Sequence, residues 1–431
     1  MSRNRSKGPE VHLNDRVQGL PTSPTLAIND LSNQLQRDGK LVFRLGLGQS
    51  PFPVPSEVVD ALKEHAAEKD YLSVHGLEAL RVAVSDYHRR LHHIDCRSSD
   101  VLIGPGSKEL LFLLQLVYDG ELVIPKPSWV SYAPQAQIVG KPVHWLETHI
   151  SNNRMLNSDG LQKWLVNQPE RPRIVLLNYP SNPTGQSYSV DELKEFAELA
   201  RQHRLIILAD EIYGELHHLG NHVSLACYYP EGTIVSSGLS KWCGAGGWRL
   251  GTFTFPENLS WLLKAMVHVA SETFTSTSSP IQHAAVTAFA GGNAIDQYVS
   301  DSRRILRALG NYAAKKFRKS GLQTADPTGG FYLFPDFELL REPLRQRDIS
   351  TSDQLCQKLL EETGVATLPG TSFGCTSDEL TLRIAYVDFD GTDALQAARE
   401  APDTADLPLE FLEQHCTQTV EAIERMCDWV S

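Results

Sequence analysis

Nowhere does the 431-residue chain carry an apolar run of the roughly 18 residues that a membrane-spanning helix needs, so no membrane partner is expected. Its N-terminal stretch MSRNRSKGPEVHLNDR is polar and basic, without the apolar segment of a secretory signal. Seven cysteines are too few and too scattered for a disulfide framework, their number is odd, and none forms a CxxC pair. A reducing, cytoplasmic setting is therefore expected. Positive charge is also scarce: 40 Lys and Arg against 52 Asp and Glu leave a net charge of -12, which excludes a broad basic footprint for nucleic acid. The histidine runs YHRRLHHIDC and ELHHLGNH match no zinc spacing, and neighbouring histidines on a helix do not aim at one centre, so no metal is expected. A third glycine is missing from both near-matches to a dinucleotide fingerprint: Pro51 takes its place in LGLGQSP and Arg249 in GAGGWR.

What is present is ordinary globular composition, 41% hydrophobic and 21% charged, in a chain long enough for two domains. Residues 24 to 38 show helical spacing with a glycine stop, and a second helix starts near Ser56. From Gly106 onward helices and strands alternate. RIVLLNY, LIILADE, TIVSSGL and RLGTFTF read as short, almost wholly apolar strands, separated by turns and by the helix VDELKEFAELARQH. This pattern predicts an α/β fold with a mainly parallel sheet covered on both faces, whose ligands sit at the carboxyl ends of the strands. After a long helix from about residue 295, the mixed segments GGFYLFPDF, SDQLCQKLLEETG, VATLP and LTLRIAYV and a last helix from about Leu407 to Val430 suit a smaller α+β domain.

The strand ends carry the chemistry. Asn178 and Asn182 follow one strand, Asp210 and Tyr213 another, and Lys241 and Arg249 lie in the glycine-rich GLSKWCGAGGWRLG after a third. GPGSKE places Gly106, Ser107 and Lys108 at a helix start, where free N-H groups and the helix dipole favour a phosphate. Trp129 follows ELVIPKPSW. A lysine amine forms a Schiff base with an aldehyde, a carboxylate holds a ring nitrogen protonated, and an indole stacks on a ring face. Together these are the parts of a pyridoxal 5'-phosphate (PLP) site.

In motif order, LGLGQSPFPVP, KDYLSVHGLEALR, GPGSKE, IPKPSWVSY, NYPSNPTG, ADEIYGEL, GLSKWCGAGGWRLG, PTGGFYLF, LPGTSFG and LTLRIAYV resemble the class I/II PLP-dependent aminotransferases of fold type I, the aspartate aminotransferase superfamily. The resemblance spans the chain from about Arg16 to its end. It implies a seven-stranded, mainly parallel sheet in a large PLP-binding domain (residues 55-310) and a small C-terminal domain (311-431) joined by the N-terminal segment (16-54), after a disordered tail (1-15). It implies that Lys241 bonds to the cofactor and carries the proton, that Asp210 pairs with the ring nitrogen, and that Tyr213 and Asn182 bind the ring hydroxyl oxygen. Trp129 would stack on the ring. Gly106, Ser107, Lys108, Ser240 and Arg249 would take the phosphate, joined by Tyr71 from the neighbouring subunit of a homodimer. Gly48, Trp129, Asn182 and Arg383 would border the substrate, with Arg383 forked onto its α-carboxylate.

Transamination of an L-amino acid with a 2-oxo acid is the activity implied, aspartate/2-oxoglutarate-like or broad in specificity. Two departures bear on it. Gly238 stands where a phosphate-binding serine is frequent, leaving Ser240 or Ser237 as substitutes, and AMVHVASETFTSTSSPIQHAA lacks the arginine that one subgroup lends to its partner for a distal carboxylate. The scaffold also resembles that of C-S lyases. A catalytically silent, PLP-binding regulator would be expected to have lost Lys241 or Asp210, and both are present.

Overall fold

Alternation along the strands decides the architecture. In the computed structural model, which describes residues 12-402 and 406-431, there are twelve strands. They are β1 (Phe43–Arg44), β2 (Val101–Gly104), β3 (Glu121–Lys126), β4 (Val143–Glu147), β5 (Arg173–Asn178), β6 (Ile206–Asp210), β7 (Thr233–Gly238), β8 (Gly251–Thr254), β9 (Tyr332–Leu333), β10 (Val365–Ala366), β11 (Leu368–Pro369) and β12 (Leu382–Ala385). Ile174, Leu176, Ile206 and Leu208 point to one side, where they pack with leucines of the helix Ser107–Val117 and with Leu262 and Met266. Val175, Leu177, Ile207 and Ala209 point to the other, against Leu193, Phe196 and Ala200 of the helix Val190–His203. Period-two side chains that are apolar on both faces require helices on both faces, as the sequence predicts.

The large sheet has seven strands in the order β2-β8-β7-β6-β5-β3-β4, parallel from β4 through β7. Only β8 runs antiparallel to its neighbours β7 and β2. The segment between β7 and β8 forms no crossover helix, only a short turn at Gly246–Trp248, and the chain comes straight back. The register sets Asn178 beside Asp210 and Asp210 beside Ser236, a row across the carboxyl ends of β5, β6 and β7. A three-stranded antiparallel sheet, β11-β12-β9, pairs Leu368 with Arg383 and Ala385 with Tyr332, and β1 pairs with β10.

Three features differ from the sequence reading or extend it. The C-terminal helix is two, Leu409–His415 and Thr417–Val430, broken at Cys416 with φ -124° and ψ 29°. The Thr417 hydroxyl bonds back to the Glu413 carbonyl at 2.8 Å and so offers the backbone a competing partner at the break. Helices over Glu78–His92, Ser158–Leu165, Ser260–Glu272 and Ser279–Ala290 complete the layers. Most of the segment read as a tail lies outside the described residues, and at Arg16 the guanidinium already bonds the Val139 carbonyl at 3.2 Å. No helix of the described residues is long and apolar enough to cross a membrane.

Candidate active site

A cavity of about 440 Å³ opens over the row Asn178, Asp210, Ser236, and its walls include Gly48, Ser107, Lys108, Trp129, Asn182, Tyr213, Ser240, Lys241, Arg249 and Arg383. The fold therefore brings together nearly every residue the sequence singled out. Gly106 borders the same place beneath Arg249. Tyr71 alone stands apart: it is 89% exposed and does not line the cavity of its own chain.

Lys241 follows β7 by three residues, and its Nζ donates to the Gly48 carbonyl at 2.6 Å. Burial, and next the nearby Arg383 guanidinium, push this amine down to about 7. Such a lysine is substantially neutral, and so nucleophilic, at physiological pH.

Asp210 ends β6 as a buried carboxylate. Its Oδ2 accepts from the Tyr132 hydroxyl at 2.6 Å and its Oδ1 from the Ser236 hydroxyl at 3.2 Å. Burial raises its pKa although both hydrogen bonds oppose the rise. Asn178 donates its side-chain amide to the Asp210 carbonyl at 2.8 Å, and the Asn178 Oδ1 receives the Asn182 N-H at 2.7 Å. The loop after β5 is thus tied to the end of β6.

Arg383 is 1% exposed and has no carboxylate partner among the described residues. It donates to Asn182 Oδ1 at 3.3 Å and to the Gly46 carbonyl at 2.5 Å, and its Nε has no hydrogen-bond partner. A buried guanidinium held this way is costly unless an anion arrives. Tyr332 lies 4.9 Å from it, ring centroid to guanidinium carbon, and hydrogen-bonds Tyr213 hydroxyl to hydroxyl at 2.8 Å.

The helix start at Gly106 and Ser107 is built from close approaches. Gly106 has φ 91°, and a Cβ there would lie 2.2 Å from the Arg249 Nη2; one on Gly251 would lie 2.2 Å from the Ser107 nitrogen. Glycine is required at both places for the arginine to lie over the start of the helix Ser107–Val117. At Gly238 a Cβ would meet the Leu250 carbonyl at 2.7 Å, which accounts for the missing serine; of the two substitutes, Ser240 lines the cavity. Lys108 has its ammonium 5.0 Å from the Trp129 ring centroid, with no ion pair among the described residues. Burial, then the Arg249 charge, lowers its pKa.

Sequence reasoning missed Tyr132, Tyr332 and the residues Ser23, Thr25 and Leu26, which bring the start of the helix Pro24–Arg37 to the cavity. Among the described residues no three His, Cys, Asp or Glu are grouped to hold a metal ion.

Residues 40-397 match the family model described as aminotransferase class I and II. An aspartate aminotransferase of Geobacillus stearothermophilus is 32% identical over 400 residues, 90% of this chain and 98% of that protein. An asparagine–oxo-acid transaminase of Streptococcus mutans is 30% identical, covering 87% and 94%. Among solved structures, an aspartate aminotransferase from Thermus thermophilus with maleate superposes with a TM-score of 0.82 at 26% identity, over 97% of this chain and 100% of that one.

Proposed function

The chain belongs to the class I and II aminotransferases and is a PLP-dependent transaminase acting on an L-amino acid and a 2-oxo acid, and from this premise we propose that its amino donor is a dicarboxylic amino acid such as aspartate. Four cationic side chains, Lys108, Lys241, Arg249 and Arg383, line one cavity, and none has an ion-pair partner among the described residues. Lys241 is the covalent anchor in this reading, the cofactor's phosphate takes Arg249, and the substrate's α-carboxylate takes Arg383. Lys108 remains for a second carboxylate. It replaces the arginine that the segment 265-285 lacks, so it reads substrate rather than phosphate. The names of the relatives support both an acidic and an amide donor, and the unpaired Lys108 favours the acidic one. Lys108→Ala is expected to lower kcat/KM for L-aspartate by about 10²-fold, the loss of one charge-assisted bond, while L-alanine turnover stays within about twofold. Equal losses for both donors in steady-state kinetics would assign Lys108 to the phosphate instead.

PLP fits the residues present: a lysine that is neutral near pH 7, a buried carboxylate for the ring nitrogen, and a glycine-lined helix start under an arginine. When bound, it supplies an aldehyde for the covalent link and a ring that withdraws electrons from the substrate's α-carbon. The protein's part is then positional and protonic. Arg383 forks onto the α-carboxylate and fixes which α-bond faces the lysine. Lys241 Nζ takes the α-proton and returns it, since a neutral amine is the competent base. Asp210 keeps a negative charge at the ring nitrogen, held by Tyr132 and Ser236. Asn182 and Tyr213 bind the ring hydroxyl oxygen, and Trp129 covers a ring face.

The Lys241 value sets a pH dependence. Its amine is charged below about 7 and neutral above, whereas an exposed lysine would not lose its charge until about 10.4. The rate at which cofactor-free protein captures added PLP is therefore expected to rise up to about pH 7 and level off beyond it, read by stopped-flow absorbance. A rate still climbing at pH 9 would mean an ordinary lysine.

The same reading includes a homodimer in a cytosolic setting. A dimer is supported by the exposure of Tyr71, which leaves its ring free to reach a neighbouring subunit, and a reducing compartment by seven free cysteines.

A further inference from the structure

The residue after Asp210 is also a buried acid. Glu211 Oε1 accepts from the Tyr179 hydroxyl at 2.8 Å and the Ser224 hydroxyl at 2.6 Å, and its Oε2 lies 2.9 Å from His222 Nε2. Four residues on, Glu215 repeats the pattern with the Tyr87 hydroxyl at 2.8 Å, His92 Nε2 at 3.1 Å and Arg303 Nη2 at 2.9 Å. His92 and His222 stand edge to face, 5.6 Å apart between ring centroids, so the two pairs form one cluster. The two histidine runs of the sequence thus do converge, on carboxylates rather than on a metal. His92, Glu215, His222 and Arg303 also line a second cavity of about 210 Å³, whose wall includes Trp242, the neighbour of Lys241 in the chain.

None of the hydrogen-bonding groups of Glu211 lines the active-site cavity, yet two of its contacts lead to it. The Glu211 N-H donates to the Ser236 carbonyl at 3.0 Å, on the strand whose hydroxyl holds Asp210. Tyr179, whose hydroxyl Glu211 fixes, stands between Asn178 and Asn182, and its N-H donates to the Asp210 carbonyl at 3.2 Å. Glu211 therefore sits one residue from the acid assigned to the ring nitrogen, its N-H tied to β7 and its carboxylate to the loop after β5.

We propose that Glu211, ionised and balanced by His222, is a positioning residue that sets the negative potential felt by Asp210 and, through it, by the cofactor ring. The inference rests on the reading of Asp210 given above. Two neighbouring buried carboxylates oppose each other's ionisation. Burial, opposed by Tyr132 and Ser236, raises Asp210, and Glu211 adds to the rise. Burial would raise Glu211 too, but His222, and beyond it His92, outweigh burial and hold it below the ordinary carboxylate range. The remaining groups around the pair are charged or titratable from every side. The helix Glu78–His92 presents Tyr87, His88 and His92, the segment after β6 presents Glu215, His217 and Cys227, the helix Asn293–Lys319 presents Arg303, and the loop after β5 presents Tyr179. Of these, burial pushes His88 down to about 3, so it is neutral, whereas Glu215, down to about 2 because His92 and Arg303 outweigh burial, is charged.

Charge balance predicts effects of opposite sign, which loss of structure would not produce. Glu211→Gln removes a negative charge, so the cationic form of the PLP-bound site is held less well and the pH midpoint of the holoenzyme's visible absorption band moves down, by on the order of half to one pH unit. His222→Gln removes the balancing partner and moves the midpoint up by a similar amount. Both variants would be measured as holoenzyme by spectroscopic pH titration, with Tm recorded alongside. Opposite shifts support the proposal. Midpoints that stay put or move the same way, whatever happens to Tm, overturn it and leave Glu211 a structural tie. Should Glu211→Gln not fold, the His222→Gln titration decides alone: an upward move supports the proposal and no move overturns it. Asp210→Asn separates the two levels of the argument. If that variant transaminates like the parent, the reading of Asp210 fails and this inference with it; if it is inactive while neither midpoint moves, only this inference fails.

Discussion

Lys241→Ala will lose transamination by about 10⁴-fold or more, because one substitution removes both the covalent anchor and the base that carries the α-proton. The two roles meet in one atom for a geometric reason. The glycine-rich segment after β7 brings Nζ within 2.6 Å of the Gly48 carbonyl, over a buried wall that includes Tyr213 and Phe331, whose ring centroids lie 5.5 and 5.7 Å away. No water-exposed lysine would have its amine pushed down to about 7. The other contacts proposed for the cofactor, at Arg249, Ser107, Asp210 and Trp129, are untouched by the substitution, so the variant should still take up PLP noncovalently. The absorption spectrum separates the possibilities. In the parent, the visible band shifts on adding the amino donor and returns with a 2-oxo acid; in the variant it stays at the position of the free aldehyde and does not cycle. A variant whose band cycles at the parent's rate would place the reacting amine elsewhere.

The chain announces this site because its chemistry sits at the ends of strands, and strands buried on both faces are legible as short apolar runs. RIVLLN, IILAD and TIVSSG each end in a residue of the row Asn178, Asp210, Ser236 or just beyond it, so reading the strands located the pocket. What stayed hidden has no local signal. Tyr132 begins a short helix and reads as one more core aromatic, yet its hydroxyl is the shortest contact of Asp210, 78 residues away in sequence. Tyr332 reads as a strand residue of the smaller sheet, and only the tertiary fold sets its hydroxyl against Tyr213. The requirement for glycine at position 48 is likewise nonlocal: a Cβ there would lie 1.9 Å from the Tyr332 hydroxyl. Lys108 is the opposite case, a strong local signal that admits two meanings. Its place at a helix start speaks for a phosphate, while its ammonium lies over Trp129, four carbons further along a flexible stem. Adjacent histidines on one helix diverge, but His88 and His92, four residues apart, share a face, and His222 arrives from another segment.

Arg383 yields the second large effect, and it has two parts of opposite sign. Arg383→Lys is expected to lower kcat/KM for every amino donor by about 10³-fold, since a point charge cannot reproduce the paired N-H bonds to a carboxylate. Arg383→Met should lose at least as much, and yet be more stable without substrate. In the free enzyme the guanidinium is 1% exposed, offers its charge to an amide oxygen and a backbone carbonyl, and leaves Nε unbonded. Those contacts do not offset the cost of taking an ion out of water, whereas methionine fills the space between Tyr332 and Phe373 with apolar volume. A gain of about 1-4 kcal/mol is expected, by analogy with buried ionic groups replaced by apolar ones, and urea unfolding of the cofactor-free protein would measure it. The site thus stores a buried charge that a carboxylate would resolve, and in the proposed reading the substrate's binding energy and its orientation come from the same residue. If Arg383→Met unfolds more readily than the parent and keeps its affinity for donors, the arginine is part of the scaffold, and the α-carboxylate must be held by another group.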